Sequence, residues 1–410
     1  MKAITKQSPI ASQEWHIGLH LVERNEPHIS SPKEVKLKVV YGAICGTDVG
    51  IYNSKDSLRR EMSVVKSPNV IIGHEFCGQI IDAGKQAKTF LAKKIVQEYG
   101  KEKFVQNFFR DLKKIESPRA SNEFFLNFLE TEFYSTAEMH ITDNTCYQCK
   151  LGEQHVCQHT VIKGVHADGA FTKYVVVPME NIVLFRKGEI PPEVIAFMDA
   201  LGNATHTIQS VPVKGKTVVV LGCGVQGLMA TAVAKMCGAK KIFVTDSSHG
   251  KFSHEKLVEK RFRLAKLFGA TECFDVALEQ EKKKFYETLM RVTKNAGADA
   301  VLEMSGSYKA YEDAFHIVRS GGAISLLGLP FGKMEIDFAK DIIFKGVTIH
   351  GIIGRRVFSS WDLMRELLKK GLAKKFVKSG FITHQFPLEN FEDAFKAIRE
   401  GDGLKILLKP

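Results

Sequence analysis

Hydrophobic residues in the second half of the chain follow the alternation of buried strands and helices. The run Val218–Val220 predicts a strand, Val225–Met236 a helix, and Ile242–Thr245 a second strand. The alternation continues with strands at Ala300–Met304 and Ala323–Leu327 and a helix at Tyr308–Val318 between them. Strands that alternate with helices in this way predict a parallel, doubly wound sheet.

Before residue 180 the pattern is shorter and less regular. Apolar and polar residues alternate over Val35–Val39, and glycine and proline interrupt the stretches that follow. This pattern is typical of an irregular β domain.

The segment 91–132 is an exception, because its apolar residues recur at helical spacing. They are Val105, Phe108, Phe109, Leu112 and Ile115. We expect Pro118 to end this helix and Ser121 to cap a second one, which together form a helical hairpin on the β domain. Its apolar faces either pack into the core or contact a partner, because a hairpin alone cannot bury both.

Length and composition add bounds to this picture. A chain of 410 residues predicts two domains, and 44% hydrophobic with 25% charged residues is ordinary for a globular protein. The net charge of +12 comes from scattered lysines, densest at Lys369–Lys378, which does not favour nucleic-acid binding. Without an apolar leader or a membrane-length apolar stretch we expect a cytoplasmic protein, whose 8 cysteines bind metal or lie buried.

A glycine-rich turn follows the first strand of the parallel sheet. Gly222, Gly224 and Gly227 have the spacing GxGxxG, and Asp246 ends the next strand. The glycines allow a tight turn, close approach of a pyrophosphate and close packing of helix on strand, while the carboxylate accepts hydrogen bonds from ribose. The motif therefore predicts a dinucleotide site that favours NAD over NADP, the alternative being an unrelated turn.

Metal-ligating residue types lie at strand ends of the first half. Cys45 follows one predicted strand, and His74 and Glu75 follow Val70–Ile72. Thiolate, imidazole and carboxylate together hold zinc with one position open. Taken alone, a His-Glu pair is more often a surface ion pair, and a single buried cysteine is more often part of the hydrophobic core. Glu75 is either a direct zinc ligand or a carboxylate that hydrogen-bonds to a ligand.

Zinc and NAD together indicate alcohol oxidation in a cleft between two domains. Zinc lowers the pKa of an alcohol so that its hydride can pass to nicotinamide. Thr47, close behind Cys45 in sequence, carries a hydroxyl that is able to pass the proton outward.

Longer runs of sequence resemble the medium-chain zinc-dependent alcohol dehydrogenases, and within them the L-threonine 3-dehydrogenases. The runs are AICGTDVGIYN, IIGHEFCG, EMHIT, DALGNATHT, LEMSG, LGLP, IIFKGVTIHGIIGR and FITHQFPLENFEDAFKAIREG. The resemblance implies an α/β protein with a GroES-like catalytic domain (1–185 and 346–410) and a Rossmann coenzyme domain (186–345). It also implies NAD-dependent oxidation of L-threonine to L-2-amino-3-oxobutyrate by a homotetramer.

The resemblance also implies roles for individual residues. Thr47 and His140 match residues of proton transfer and substrate orientation, although the setting of His140 alone also fits a core histidine. Asp199 matches an acidic residue near the catalytic zinc, beside Cys45, His74 and Glu75. The residues expected to contact the cofactor are Gly222, Gly224, Val225, Gln226, Gly227, Asp246, Arg261, Leu327, Leu329, Ile352 and Ile353.

Two departures from the family pattern change these expectations. Gly50 stands where these enzymes usually have a proton-relaying histidine, so we expect water to substitute. The family binds a structural zinc with four cysteines, and the corresponding residues here are Asp143, Cys146, Cys149 and Cys157, with aspartate in the first position. Aspartate is an acceptable ligand, so we expect a second zinc, with a metal-free lobe as the alternative.

Two further functions fit the same residues. One is another polyol or amino-alcohol dehydrogenase, since fold and cofactor do not determine the substrate. The other is a catalytically impaired relative that acts as a binding protein, suggested by Gly50 and Asp143. A second insertion at about 248–260 lies beside the expected adenosine site.

Overall fold

The computed structural model describes residues 1–11, 13–65, 67–250 and 252–410. The first part of the chain forms an irregular β domain. Its strands are β1 (Lys2–Gln7), β2 (His20–Glu23), β3 (Glu34–Ala43), β4 (Asn69–Ile71), β5 (Phe76–Ala83), β6 (Phe133–Ala137), β7 (His140–Ile141), β8 (Val161–Ile162), β9 (Tyr174–Pro178) and β10 (Ile182–Arg186). Its helices are α1 (Gly46–Tyr52), α2 (Asp56–Met62), α3 (Lys85–Tyr99), α4 (Lys103–Leu112), α5 (Pro118–Glu132), α6 (Tyr147–Lys150) and α7 (Pro192–Ile195).

The second part forms the predicted alternating domain. Its helices are α8 (Met198–Ser210), α9 (Val225–Met236), α10 (His254–Leu257), α11 (Arg263–Phe268), α12 (Glu279–Val292), α13 (Tyr308–Ile317), α14 (Ser359–Leu367) and α15 (Ala373–Ser379). Its strands are β11 (Thr217–Leu221), β12 (Lys241–Asp246), β13 (Glu272–Asp275), β14 (Ala298–Glu303), β15 (Val318–Leu326) and β16 (Thr348–Gly351). The chain then returns to the first domain through β17 (Ile382–Pro387), α16 (Phe391–Arg399) and β18 (Lys405–Lys409).

The two domains have different sheets. In the first, β10-β6-β5-β3-β18-β17 form one mixed sheet with β9 also paired to β3, and β2-β1-β4 form a smaller one. In the second, all strands are parallel in the order β13-β12-β11-β14-β15-β16. This order is that of a doubly wound dinucleotide-binding sheet, so the predicted fold class is confirmed.

The domain boundary predicted at 345/346 was too early. β16 pairs in parallel with β15 and completes the coenzyme sheet. Trp361 and Met364 of α14 also belong to the hydrophobic cluster that contains Val218 and Val220 of β11. The sequence pattern did not predict β16, because the residues of this short edge strand are mostly exposed.

The insertion contains three helices where a hairpin was predicted. Pro118 begins α5 with Ser117 as its N-cap, so the expectations that Pro118 ends a helix and that Ser121 caps one were wrong. Proline is favoured in the first turn of a helix, where its missing N–H costs nothing. Phe108, Phe125 and Leu129 share a buried core with the first sheet, which favours the core-packing alternative.

None of the helices within the described residues has the length and hydrophobicity that a membrane span requires. All eight cysteines are free.

Candidate active site and metal centres

The first site lies where α1 begins and where β4 passes into β5. Donor atoms of Cys45, His74 and Glu75 all lie within 4.8 Å of one another. Cys45 is the N-cap of α1, and its backbone N–H donates to Asp48 Oδ2 at 2.8 Å, which fixes the start of the helix. Gly73 adopts φ +93°, and a Cβ there would lie 2.2 Å from Phe171 Cδ1, so only glycine lets the chain turn His74 into the site.

The electrostatics of this group are those of a cation site. Burial raises the pKa of the Cys45 thiol, and Glu75 raises it further. Burial also lowers the pKa of His74, but Asp48 and Cys45 outweigh it and raise that pKa well above its usual value. Lys405 contacts Glu75 Oε2 and donates to the Ile44 carbonyl at 3.0 Å, so one carboxylate oxygen is held by a buried ammonium.

These side chains fit a zinc ion. Glu75 Oε1 is buried and has no hydrogen-bond partner among the residues that the structure describes, whereas His74 Nδ1 faces Asp48 Oδ1 at 3.5 Å. Buried polar atoms without partners are costly, and a bound cation would satisfy such donors. A thiolate, an imidazole and a carboxylate are the ligand types of catalytic zinc sites.

Asp199 lies outside this group of three, contrary to its expected place among the ligands. Its Oδ2 accepts from Arg355 Nη1 at 2.7 Å. Arg355 also pairs with both oxygens of Glu138, and Trp361 Nε1 donates to Glu138 Oε2 at 2.9 Å. Burial raises the pKa of Asp199 to about 6, although Arg355 opposes this; for Glu138, Arg355 outweighs burial and lowers the pKa to about 2.

The ALGNATHT run surrounds this arginine. A Cβ at Gly202 would lie 2.3 Å from Arg355 Cδ, and Asn203 Oδ1 accepts from Arg355 Nη1 at 3.3 Å. Sequence reasoning missed Arg355 and Glu138 as a pair, although the runs EMHIT and GIIGR contain them. The motif residues of α8 therefore position a buried guanidinium beside the metal-ligating group.

The two predicted catalytic residues lie in different elements, Thr47 in α1 and His140 in β7. Thr47 Oγ1 lies 4.0 Å from Cys45 Sγ in the first turn of α1. The His140 backbone N–H donates to Glu138 Oε1 at 3.1 Å, and its ring approaches Gly354. Burial and the nearby Arg355 lower the pKa of His140 to about 3, so this imidazole is neutral at pH 7.

A neutral buried histidine predicts a specific pH dependence of stability. Because the pKa of His140 is near 3 in the fold and near 6.5 when unfolded, the unfolded chain binds an extra proton between these pH values. Stability contributed by His140 is therefore lost as pH falls below about 6.5, by up to ~1.4 kcal/mol per pH unit. We expect His140→Gln to remove part of the fall in melting temperature between pH 7 and 5.

The control for this prediction is His28→Gln, since His28 is exposed. The difference in melting temperature between each variant and the parent is compared at pH 7, 6 and 5. A pH-independent difference for His140→Gln would contradict the buried neutral imidazole.

Position 50, where the sequence lacks the proton-relaying histidine, is closely packed. Gly50 is buried in α1, and a Cβ there would lie 2.4 Å from Leu58 Cδ1. The leucine therefore fills the volume next to the glycine.

The coenzyme cleft lies at the carboxyl edge of the parallel sheet. It encloses about 440 Å³ and is lined by Gly222, Gly224, Asp246, Arg261 and Ser305, among others. A Cβ at Gly227 would lie 1.8 Å from the Gly222 carbonyl oxygen, which explains the close approach of α9 to β11. A Cβ at Gly224 would meet no described atom within 4 Å, so this glycine faces open space in the cleft.

The remaining predicted cofactor residues lie at the carboxyl edge of the same sheet but do not line this cleft. Val225 and Gln226 begin α9, and the buried Gln226 Oε1 is without a partner in the described part of the chain. Leu327 and Leu329 follow β15, and Leu329 is 85% exposed. Ile352 and Ile353 follow β16, so all four lie at the carboxyl edge of the sheet.

Arg261 and Asp246 form an ion pair at the rim of the cleft. The Arg261 Nη1 to Asp246 Oδ2 distance is 2.8 Å, and the guanidinium lies 4.0 Å from the centre of the Phe252 ring. The predicted second insertion includes residue 251, which lies outside the described residues. Of its charges, Lys256 and Lys260 pair with Asp402 across the domains at 3.0 and 2.5 Å.

A second group of metal-ligating side chains lies in the lobe between β7 and β8. Donor atoms of Asp143, Cys146, Cys149 and Cys157 lie within 4.8 Å of one another. The Cys146 and Cys157 sulfurs are 3.8 Å apart, and both thiols are free. Three thiols and one carboxylate are a suitable donor set for a closed, tetrahedral zinc site.

Two family models match this chain, one in the first domain and one mainly in the coenzyme domain. Residues 31–99 match the alcohol dehydrogenase GroES-like domain, and residues 226–370 match the zinc-binding dehydrogenase family. The chain is 33% identical over 406 residues to an L-threonine 3-dehydrogenase of Bacillus velezensis, covering 99% of both chains. It is 33% identical over 405 residues to an L-threonine 3-dehydrogenase of Bacillus subtilis, again covering 99% of both. Among solved structures it is similar to an alcohol dehydrogenase of a Thermus species, with a TM-score of 0.74, 22% identity and coverage of 100% and 99%.

Proposed function

The chain belongs to the zinc-dependent medium-chain alcohol dehydrogenase family, and from this premise we propose that it oxidises the hydroxyl of L-threonine with NAD to L-2-amino-3-oxobutyrate. The observation that carries the proposal is full-length similarity, near 33% identity over 99% of the chain, to L-threonine 3-dehydrogenases. The convergence of Cys45, His74 and Glu75 at one point supports it, because that reaction needs a metal beside the alcohol.

In this proposal Cys45 and His74 hold the catalytic zinc, with Glu75 as the third ligand through Oε1. Lys405 holds the other oxygen of Glu75 and so orients the carboxylate. Asp199 acts as the partner of Arg355 in this proposal, since its Oδ2 is occupied by the guanidinium. A zinc ion held by these residues would supply a Lewis acid for the alcohol oxygen, and NAD would supply the hydride acceptor.

The residues of the chain then orient substrate and remove one proton. The hydroxyl of Thr47 accepts the proton of the substrate alcohol and passes its own outward. The neutral imidazole of His140, held beside Glu138, offers a hydrogen bond to substrate without adding positive charge.

NAD is proposed over NADP because of the carboxylate at the rim of the cleft. Asp246 would accept hydrogen bonds from ribose hydroxyls and repel a 2′-phosphate. We expect Asp246→Ser to raise the ratio of kcat/KM for NADP to that for NAD at least about tenfold, which is a change of ~1.4 kcal/mol. Arg261, freed from its ion pair, would then be available to the phosphate.

Steady-state kinetics with both cofactors test this prediction. Asp299→Asn is the control, because Asp299 lies at the start of β14, at the other end of the parallel sheet from Asp246, and pairs with Arg319. If Asp246→Ser leaves the ratio of kcat/KM for NADP to that for NAD unchanged, Asp246 does not discriminate between the two cofactors.

A substrate panel tests the proposed function. NADH formation is measured with L-threonine, D-threonine, L-serine, 2,3-butanediol and sorbitol. We expect the highest kcat/KM with L-threonine and loss of that activity on zinc removal. A higher kcat/KM with a polyol would assign another dehydrogenase activity, and no turnover with any substrate at full zinc content would favour an impaired, binding function.

The proposal includes self-association, for which the outer edge of the coenzyme sheet provides support. β16 is an edge strand, and large apolar side chains around it are exposed: Leu329, Phe331, Phe338, Ile343, Phe344 and Ile353. An exposed apolar patch beside an unpaired strand edge favours pairing with a second copy of the chain. A tetramer in the cytoplasm is the state we propose, and light scattering would give its mass.

A further inference from the structure

In the lobe between β7 and β8, the two carboxylate oxygens of Asp143 have different partners. Asp143 Oδ1 accepts backbone N–H groups of Thr145 at 2.8 Å and Cys146 at 3.0 Å, and it lies 3.6 Å from Cys157 Sγ. Asp143 Oδ2 contacts the Nδ1 atom of His159. The thiol cluster and the imidazole therefore meet opposite sides of one carboxylate.

His159 is itself anchored to the cluster. It follows Cys157 closely in sequence, and its backbone N–H donates to Cys157 Sγ at 3.4 Å. Its ring is largely exposed apart from the contact with Asp143, whose side chain is only 22% exposed. The ring thus covers the outer oxygen of the aspartate and leaves the thiols free to face the metal.

An aspartate needs this support more than a cysteine would. A thiolate presents one sulfur, whereas a carboxylate presents two oxygens on a rotatable bond and has to be oriented to act as a single ligand. Hydrogen bonds to the outer atoms of a ligand typically change metal affinity by about 10- to 100-fold.

We propose that His159 is a positioning residue that holds Asp143 as the fourth ligand of a zinc ion in the lobe, in place of the thiolate that the spacing would otherwise provide. The inference rests on the second zinc of the proposed function and extends it to a residue outside the ligand set. It predicts that His159 matters only while residue 143 is aspartate.

The test measures zinc affinity of the lobe in a double-mutant cycle. Cys45→Ser serves as the background, so that the lobe provides the remaining zinc site, and zinc is titrated against a chromophoric chelator. We expect His159→Ala to weaken zinc binding by about 10- to 100-fold, and to change it less than about twofold when Asp143→Cys is also present. Gln158→Ala, an exposed neighbour, is the control and should leave affinity unchanged.

Three outcomes would overturn the proposal. They are unchanged affinity in His159→Ala, an equal loss with aspartate and with cysteine at position 143, and a lobe that binds no zinc in the parent. His159→Gln provides a second variant of similar volume should the alanine variant not fold. Because the readout is zinc content and not turnover, failure here is distinguishable from failure to oxidise L-threonine.

Discussion

Replacing Cys45 by serine should lower the rate of NADH formation at least about a thousandfold. Polarisation of the alcohol by a metal is worth several kcal/mol of barrier, and each 1.36 kcal/mol is tenfold in rate. A serine hydroxyl keeps the shape of the side chain but is a poor zinc ligand. The two remaining donors, His74 and Glu75, cannot hold the ion alone, since a catalytic site needs three protein ligands.

Zinc stoichiometry and kcat measured on the same preparation check this prediction. Cys237→Ser is the matched control, because Cys237 is partly buried at the end of α9 and lies outside both metal-ligating groups. We expect the Cys45 variant to lose one zinc per chain and keep the lobe ion. Full activity in Cys45→Ser would remove the metal assignment and with it the proposed chemistry.

The parts of the site that could be predicted from sequence are those formed by short segments. The GxGxxG turn is local, and its glycines meet local constraints, such as the φ of +97° at Gly222. Cys45 and the His74-Glu75 pair each stand at the end of one strand, where a rigid sheet aims the side chain. The sequence therefore predicted that Cys45, His74 and Glu75 come together and that the glycine-rich turn joins β11 to α9.

The parts that could not be predicted depend on distant contacts. Arg355 and Glu138 are separated by 217 positions, and Lys405 and Glu75 by 330. No periodicity connects such residues, because they meet only after two domains have folded and the chain has returned to the first. Asp199 was predicted near the metal from its sequence motif alone, which gave no sign that its Oδ2 pairs with the guanidinium of Arg355.

The insertion shows a different limit of pattern reading. α3 (Lys85–Tyr99) is less strongly amphipathic than α4, so the sequence predicted only α4 and, with the wrong start, the helix α5. Phe128 lies 3.7 Å from Phe108 between ring centres, an example of the aromatic packing that joins α4 to α5. Packing between helices, not propensity, determines where each of them ends.

Removing the charge of Arg355 should be the most destabilising single change near the site. Arg355 is 2% exposed and stands between Glu138 and Asp199, which are 0% and 5% exposed. Breaking a buried ion pair on one side costs ~3–5 kcal/mol, because the carboxylates lose their counter-charge and cannot reach water. We expect Arg355→Met to lower the free energy of unfolding by about this amount, measured by urea denaturation at pH 7.

The pH dependence of that loss follows from the carboxylates. With the guanidinium present, the pKa of Glu138 is about 2, so its contribution to stability is present above the unfolded pKa near 4.3 and is lost as pH falls through 2. Without the guanidinium the pKa of Glu138 rises, so the penalty of Arg355→Met should be smaller at pH 5 than at pH 7. A penalty that is equal at both values would contradict this electrostatic origin.

Two further variants separate charge from packing. Arg356→Met alters an exposed neighbour and should change stability by less than about 0.5 kcal/mol. Adding Glu138→Gln and Asp199→Asn to Arg355→Met removes the unpaired carboxylates and should recover much of the loss, because neutral groups are less costly to bury than charges. If the triple variant is no more stable than Arg355→Met, the arginine stabilises the fold by filling volume, and the charge network beside the metal site has a smaller role than its geometry suggests.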